Sequence, residues 1–127
     1  MSQWTHVAAI VRIDGIGTRP TKRALEKIFG KELRYNDDGD LWDEADEHPE
    51  RFLPFGSEGS LRMSVWRDED KHVIPGTTVS FFGDLRDYDN PAEIVSWFQV
   101  ALRDVWVRQA TITATCGTNT VNWTYEG

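Results

Sequence analysis

A chain of 127 residues, 39% hydrophobic and 28% charged, is long enough for one core and too short for two, and its composition is not that of a disordered chain. No apolar run approaches membrane-spanning length, and the opening MSQWTHVAAIVRIDG lacks a basic leader, so neither a transmembrane helix nor a secretory signal is expected. The net charge of −7 is local: residues 37–50 hold eight acids and no Lys or Arg, while the remainder holds 13 acids against 14 bases. Such a segment repels nucleic acid and anionic lipid, and attracts cations or basic proteins.

Trp4 to Ile13 alternates as a strand, with Val7, Ala9, Val11 and Ile13 on one side, and Gly15 and Gly17 end it. Pro20 to Phe29 reads as a helix with Leu25, Ile28 and Phe29 on one face, and Gly30 stands at its C-terminal cap. An insert over 31–59 has no long periodic pattern. Within it, Asp40 to Glu47 reads as two helical turns, Phe52, Leu53 and Phe55 pin it to the core, and GSEGS at 56–60 is a hinge or turn. Leu61, Met63 and Val65 alternate with Arg62, Ser64 and Trp66 in a half-buried strand, and Thr77 to Phe82 is its partner.

Gly83 to Asp89 is expected to be an acidic connection into a capped helix. There Asn90 is the N-cap, Pro91 holds the first turn, Glu93 completes a capping box, and Ile94, Val95, Phe98, Ala101 and Leu102 form the apolar face. Trp106 to Thr115 is a strand with Ala110, Ile112 and Ala114 on one face. Cys116 to Asn119 turns the chain, and Val121, Trp123 and Tyr125 alternate in a last strand. The order β-α-β-β-α-β-β in one domain, 1–127, gives the α+β class. The expected architecture is a ferredoxin-like βαββαβ sandwich with an extra C-terminal strand at an edge and an acidic insert after the first helix.

Familiar motifs fail on spacing. GIGTRP at 15–20 lacks the third glycine of a dinucleotide-binding turn. A calcium loop placed on Gly39 would need ligands at Arg34 and Ala45. His6, His48 and His72 are far apart, and the single Cys116 excludes an internal disulfide or a multi-thiolate zinc site, so no metal or cofactor is expected. One cysteine also fits a reducing cytoplasm, and a small buried thiol is its expected role. Asp84, Asp87 and Asp89 gather near a helix start. Without a nucleophile, base or phosphate loop beside them, metal-assisted hydrolysis ranks last, and the chain is read as no enzyme.

Two binding surfaces remain. The acidic insert offers Asp37, Asp38, Asp40, Asp43, Glu44, Asp46 and Glu47, with Trp42 as an interface anchor. The outer sheet face offers Trp66, Phe82 and Trp106 with Arg108, as aromatic platforms do for RNA bases or nucleotides, although the usual basic-glycine-aromatic motif is absent. SQWTHVAAIVRID, RFLPFGSEGSLRMSVW and TVSFFGDLRDYDNPAEIVSWF resemble small proteins of bacteriophages and prophages from gut and other Gram-positive bacteria. That resemblance covers the chain and carries no catalytic residue. It implies a host-cell context in which small acidic proteins inhibit defence systems, as anti-CRISPR proteins do. The leading expectation is therefore nucleic-acid mimicry: the insert docks on a basic, nucleic-acid-binding bacterial defence protein, with no direct nucleic acid and no membrane. Recognition of RNA or a nucleotide is the alternative, and an unpaired edge strand leaves room for a homodimer.

Overall fold

A computed structural model describes residues 3–14, 20–33, 45, 47–67 and 76–127. In chain order the elements are β1 (Trp4–Asp14), α1 (Lys22–Phe29), β2 (Arg62–Arg67), β3 (Gly76–Arg86), α2 (Pro91–Ala101), β4 (Val107–Cys116) and β5 (Asn119–Glu126). Short 3₁₀ turns lie at Pro49–Arg51 and Leu102–Asp104. The strands form one antiparallel sheet in the order β2-β3-β1-β4-β5, an α+β arrangement compatible with a ferredoxin-like fold. Among the described residues no helix is long and apolar enough to cross a membrane.

The sheet is two-sided because its strands alternate. Val7, Ala9, Val11 and Ile13 of β1, Val79, Phe81 and Leu85 of β3, and Ala110, Ile112 and Ala114 of β4 are buried. They share one core with Leu25 and Phe29 of α1 and with Ile94, Val95, Phe98 and Ala101 of α2. Phe81 is the hub: its ring centroid lies 4.8 Å from Phe29, 5.5 Å from Trp97 and 6.0 Å from Phe98. Both helices therefore cover one face of the sheet.

Local chemistry moves several expected boundaries. α1 starts at Lys22 because the Thr21 hydroxyl accepts from Ala24 N–H at 3.1 Å, and Gly30 closes it at φ +116°. At α2 Pro91 holds the first turn, but the capping box does not form. The Asn90 side chain makes no cap bond, and the Glu93 carboxylate accepts the Tyr88 hydroxyl at 3.0 Å instead. β3 does not stop at Phe82. Gly83, Asp84, Leu85 and Arg86 pair with Val7, His6, Thr5 and Trp4, so pairing with a central strand overrides the turn-like Gly-Asp sequence.

GSEGS is likewise no hinge. Gly56 N–H bonds Gly59 O, Ser57 N–H bonds Arg86 O and Arg86 N–H bonds Glu58 O, each at 2.9 Å, which fixes the turn against the end of β3. Of the residues expected to pin the insert, Leu53 enters the main core, whereas Phe52 packs with Leu33, Ala45 and Phe55 in a second small cluster. The expected helical turns at 40–47 lie outside the described residues, apart from helical Ala45 and Glu47.

Candidate functional site

The face opposite the helices is built by the even-numbered residues of β1. Each strand's register with its neighbour sets them in rows across the sheet. Trp66 pairs with Thr78, Thr78 with Arg12, Arg12 with Gln109 and Gln109 with Glu126, so one row crosses all five strands. The next row is Ser64, Ser80, Ile10, Thr111 and Thr124, and the one after is Arg62, Phe82, Ala8, Thr113 and Asn122. Trp66 is 59% exposed, Phe82 51% and Ile10 45%, so no described element covers them. Polar side chains here satisfy one another where they can: Thr113 donates to Asn122 Oδ1 at 2.8 Å, and the Thr115 and Thr120 hydroxyls share a bond of 3.1 Å.

A shallow trough of about 430 Å³ runs over this face, lined by Ile10, Arg12, Thr78, Gln109, Thr111 and Glu126 among others. Its lining is threonine-rich, with Ile10, Ala110 and Tyr125 as the other largely apolar members, and its polar groups include a guanidinium, a carboxamide and a carboxylate. Such a set hydrogen-bonds planar polar ligands, and the Arg12 guanidinium suits a phosphate.

Three of the four sheet-face residues expected from sequence are not where stacking alone would put them. Trp66 and Phe82 share the open face, but Phe82 lies opposite Arg62, about 14 Å along β2 from Trp66 at ~3.4 Å per residue. Trp106, 80% exposed, precedes β4 and instead lines a groove with Gln99, Leu102, Val105, Trp123 and Tyr125 at the end of α2. Arg108 is the extra residue where the β1–β4 register shifts, and its guanidinium lies 3.3 Å from Asp14 Oδ2. The site residues that sequence reasoning missed are Ile10, Arg12 and Gln109. Their signal was the alternation of β1 and β4, read only for its buried side.

The other candidates are dispersed. Asp84 pairs with His6, Nδ1 to Oδ1 2.6 Å, on the open face. Asp87, at φ 58°, accepts the Ser57 hydroxyl at 2.6 Å, and Asp89 lies beyond it in the connection to α2. Among the described residues no three His, Cys, Asp or Glu side chains form a group able to hold a metal, so these aspartates do not build the metal centre that a hydrolase reading needs. Cys116 is a buried thiol. Asp37, Asp38, Asp40, Trp42, Asp43, Glu44 and Asp46 lie outside the described residues; Glu47 is described and exposed. No family model, curated protein or solved structure matches this chain.

Proposed function

We propose that the chain is a recognition module whose open sheet face binds single-stranded RNA or a nucleotide, on a ferredoxin-like βαββαβ framework extended by β5. The observation that carries this reading is the row Trp66–Thr78–Arg12–Gln109–Glu126, with Phe82 two rows away, on a face that no described element covers. An aromatic ring stacks on any base, a guanidinium takes the phosphate, and carboxamide, carboxylate and hydroxyl groups read base edges. The spacing of Trp66 and Phe82 is several times the ~3.4 Å between stacked neighbours, so they engage bases that are not adjacent. The net charge of −7 does not oppose this, because eight acids fall in 37–50, and Arg12, Arg62, Arg86 and Arg108 on the face balance Asp14, Asp84, Glu126 and the Glu58 that pairs with Arg86 at 2.8 Å.

The direct test is fluorescence anisotropy of a labelled ten-nucleotide RNA of mixed sequence, at low and physiological salt. Wild type is expected to bind. Trp66→Ala and Phe82→Ala each weaken binding by about 5- to 150-fold, the loss of one base stack at ~1–3 kcal/mol. Absence of binding at low salt sinks the reading, as does equal binding by the double variant.

A second reading is favoured by a different observation. Leu33, Ala45 and Phe52 close a small cluster of their own, so a residue within the acidic segment is held to residues on both sides of it at a packed base. In this reading that base presents the acids of 37–50 to a basic, nucleic-acid-binding surface of a bacterial defence protein, as in phage inhibitors. Capture of such a protein from host lysate by wild type, and not by a chain with those eight acids changed to Asn or Gln, supports it; equal capture by both removes it.

A further inference from the structure

The two edges of the sheet are finished differently. At β2 the Met63 N–H donates to Glu32 Oε1 at 2.9 Å, the Arg62 guanidinium donates to Leu33 O at 3.0 Å, and Leu61 N–H, just before the strand, bonds Pro54 O at 3.0 Å. That edge is occupied by the chain itself. At β5 no described residue pairs with the outer side. β5 is eight residues of NTVNWTYE, with no proline and no lysine, and Glu126 is its one charge. Proteins ordinarily guard an exposed strand of this length with charge, proline, a bulge or a cover.

The direction of its backbone groups follows from the ladder. Gly127 N–H bonds Arg108 O at 2.9 Å, so by alternation the odd-numbered residues of β5 turn their N–H and C=O to β4. Thr120, Asn122, Thr124 and Glu126 then present theirs outward. These four are evenly spaced about Trp123, and one antiparallel two-fold register uses all of them: Thr120 opposite Glu126 of a second copy, and Asn122 opposite Thr124. That register makes about eight interstrand hydrogen bonds, two for each of four pairs.

We infer that β5 pairs with β5 of a second copy of this chain, joining two sheets into one of ten strands. The axis passes Trp123, where a non-hydrogen-bonded pair brings side chains to their closest approach. The Trp123 ring already stacks on Tyr125 at 6.2 Å, and both line one groove with Trp106, so pairing covers a belt of aromatic surface. Charge on β5 does not oppose a second copy, because Glu126 is the strand's one charged residue. No like charges face each other in this register, and Ala45, within the acidic segment, packs with Leu33 and with Phe52, which bridges to Lys31 beside the β2 edge. An isologous contact of this kind closes at two chains.

The test is sedimentation equilibrium of the full chain with two double variants, each checked for native circular dichroism. The wild type is expected at twice its 14.6 kDa. In Asn122→Lys/Thr124→Lys the new charges of the two copies oppose each other, and the dissociation constant rises at least tenfold. In Asn122→Asp/Thr124→Lys each Asp faces a Lys of the other copy, and the dimer persists. A wild type that stays monomeric at 100 μM overturns the inference. So does a dimer indifferent to the Lys pair, or one that both folded variants lose equally.

Discussion

Phe81 and Phe82 are neighbours in β3, and they belong to different parts of the molecule. Phe81 is fully buried among Phe29, Trp97 and Phe98, whereas Phe82 points to the open face and is half exposed. The same contrast runs through the whole sheet. One face is aliphatic and aromatic under two helices, and the other is a polar lattice with a few large apolar side chains left in water. Trp66, Phe82 and Ile10 leave exposed apolar area on that polar face, and the ligand proposed above would cover it.

The largest effect that sharpens this contrast is a pair of alanine substitutions one residue apart. Phe81→Ala leaves a cavity at the hub of the core and should cost about 3–5 kcal/mol of unfolding free energy. Phe82→Ala should change stability by no more than about 0.5 kcal/mol while weakening RNA binding. Urea unfolding of both variants measures the difference, and comparable losses would mean that the open face is a covered one.

That division was half legible in the sequence. The alternation of Val7, Ala9, Val11 and Ile13, and of Ala110, Ile112 and Ala114, gave the strands and their buried sides, and Pro91 with its following apolar face gave α2. The composition of the open face was not legible, because which even-numbered residues become neighbours depends on strand order and register. Arg12 and Gln109 are adjacent only because β1 lies between β3 and β4. Trp106 was placed on the outer face with Trp66 and Phe82, but it precedes β4, and the register shift at Arg12/Ile13 and the turn at Leu102–Asp104 set it at the end of α2. Competing bonds also hid details. Glu93 looked like a capping partner and went to Tyr88.

Those two helix starts give the next largest effect. Thr21→Ala removes a side-chain cap that is made and should cost about 1 kcal/mol. Asn90→Ala removes one that is not made and should cost only a few tenths of a kcal/mol. Equal costs would contradict the assignment of the two caps.

A further effect, confined to high pH, concerns Tyr88, whose phenol is pushed up to about 12 by burial first and by its hydrogen bond and charge contact with Glu93 second. Because the folded state holds the phenol above its ordinary value of 10.0, it favours the neutral form. This stabilisation is complete below pH 10 and is lost as pH rises through about 12. The urea midpoint of Tyr88→Phe should therefore fall less steeply than that of wild type over this window. Parallel slopes would contradict the raised phenol altogether, its burial as well as its contact with Glu93.

The most direct test of the central claim is an amide NMR titration of the ¹⁵N-labelled chain with a short single-stranded RNA. If the open face is the binding surface, shifts should concentrate at Ala8, Ile10, Arg12, Thr78, Phe82 and Thr111, alternating with smaller shifts at the buried residues beside them in each strand, and the Trp66 indole should move most. Shifts confined to residues 37–50, or none at saturating RNA, would contradict it.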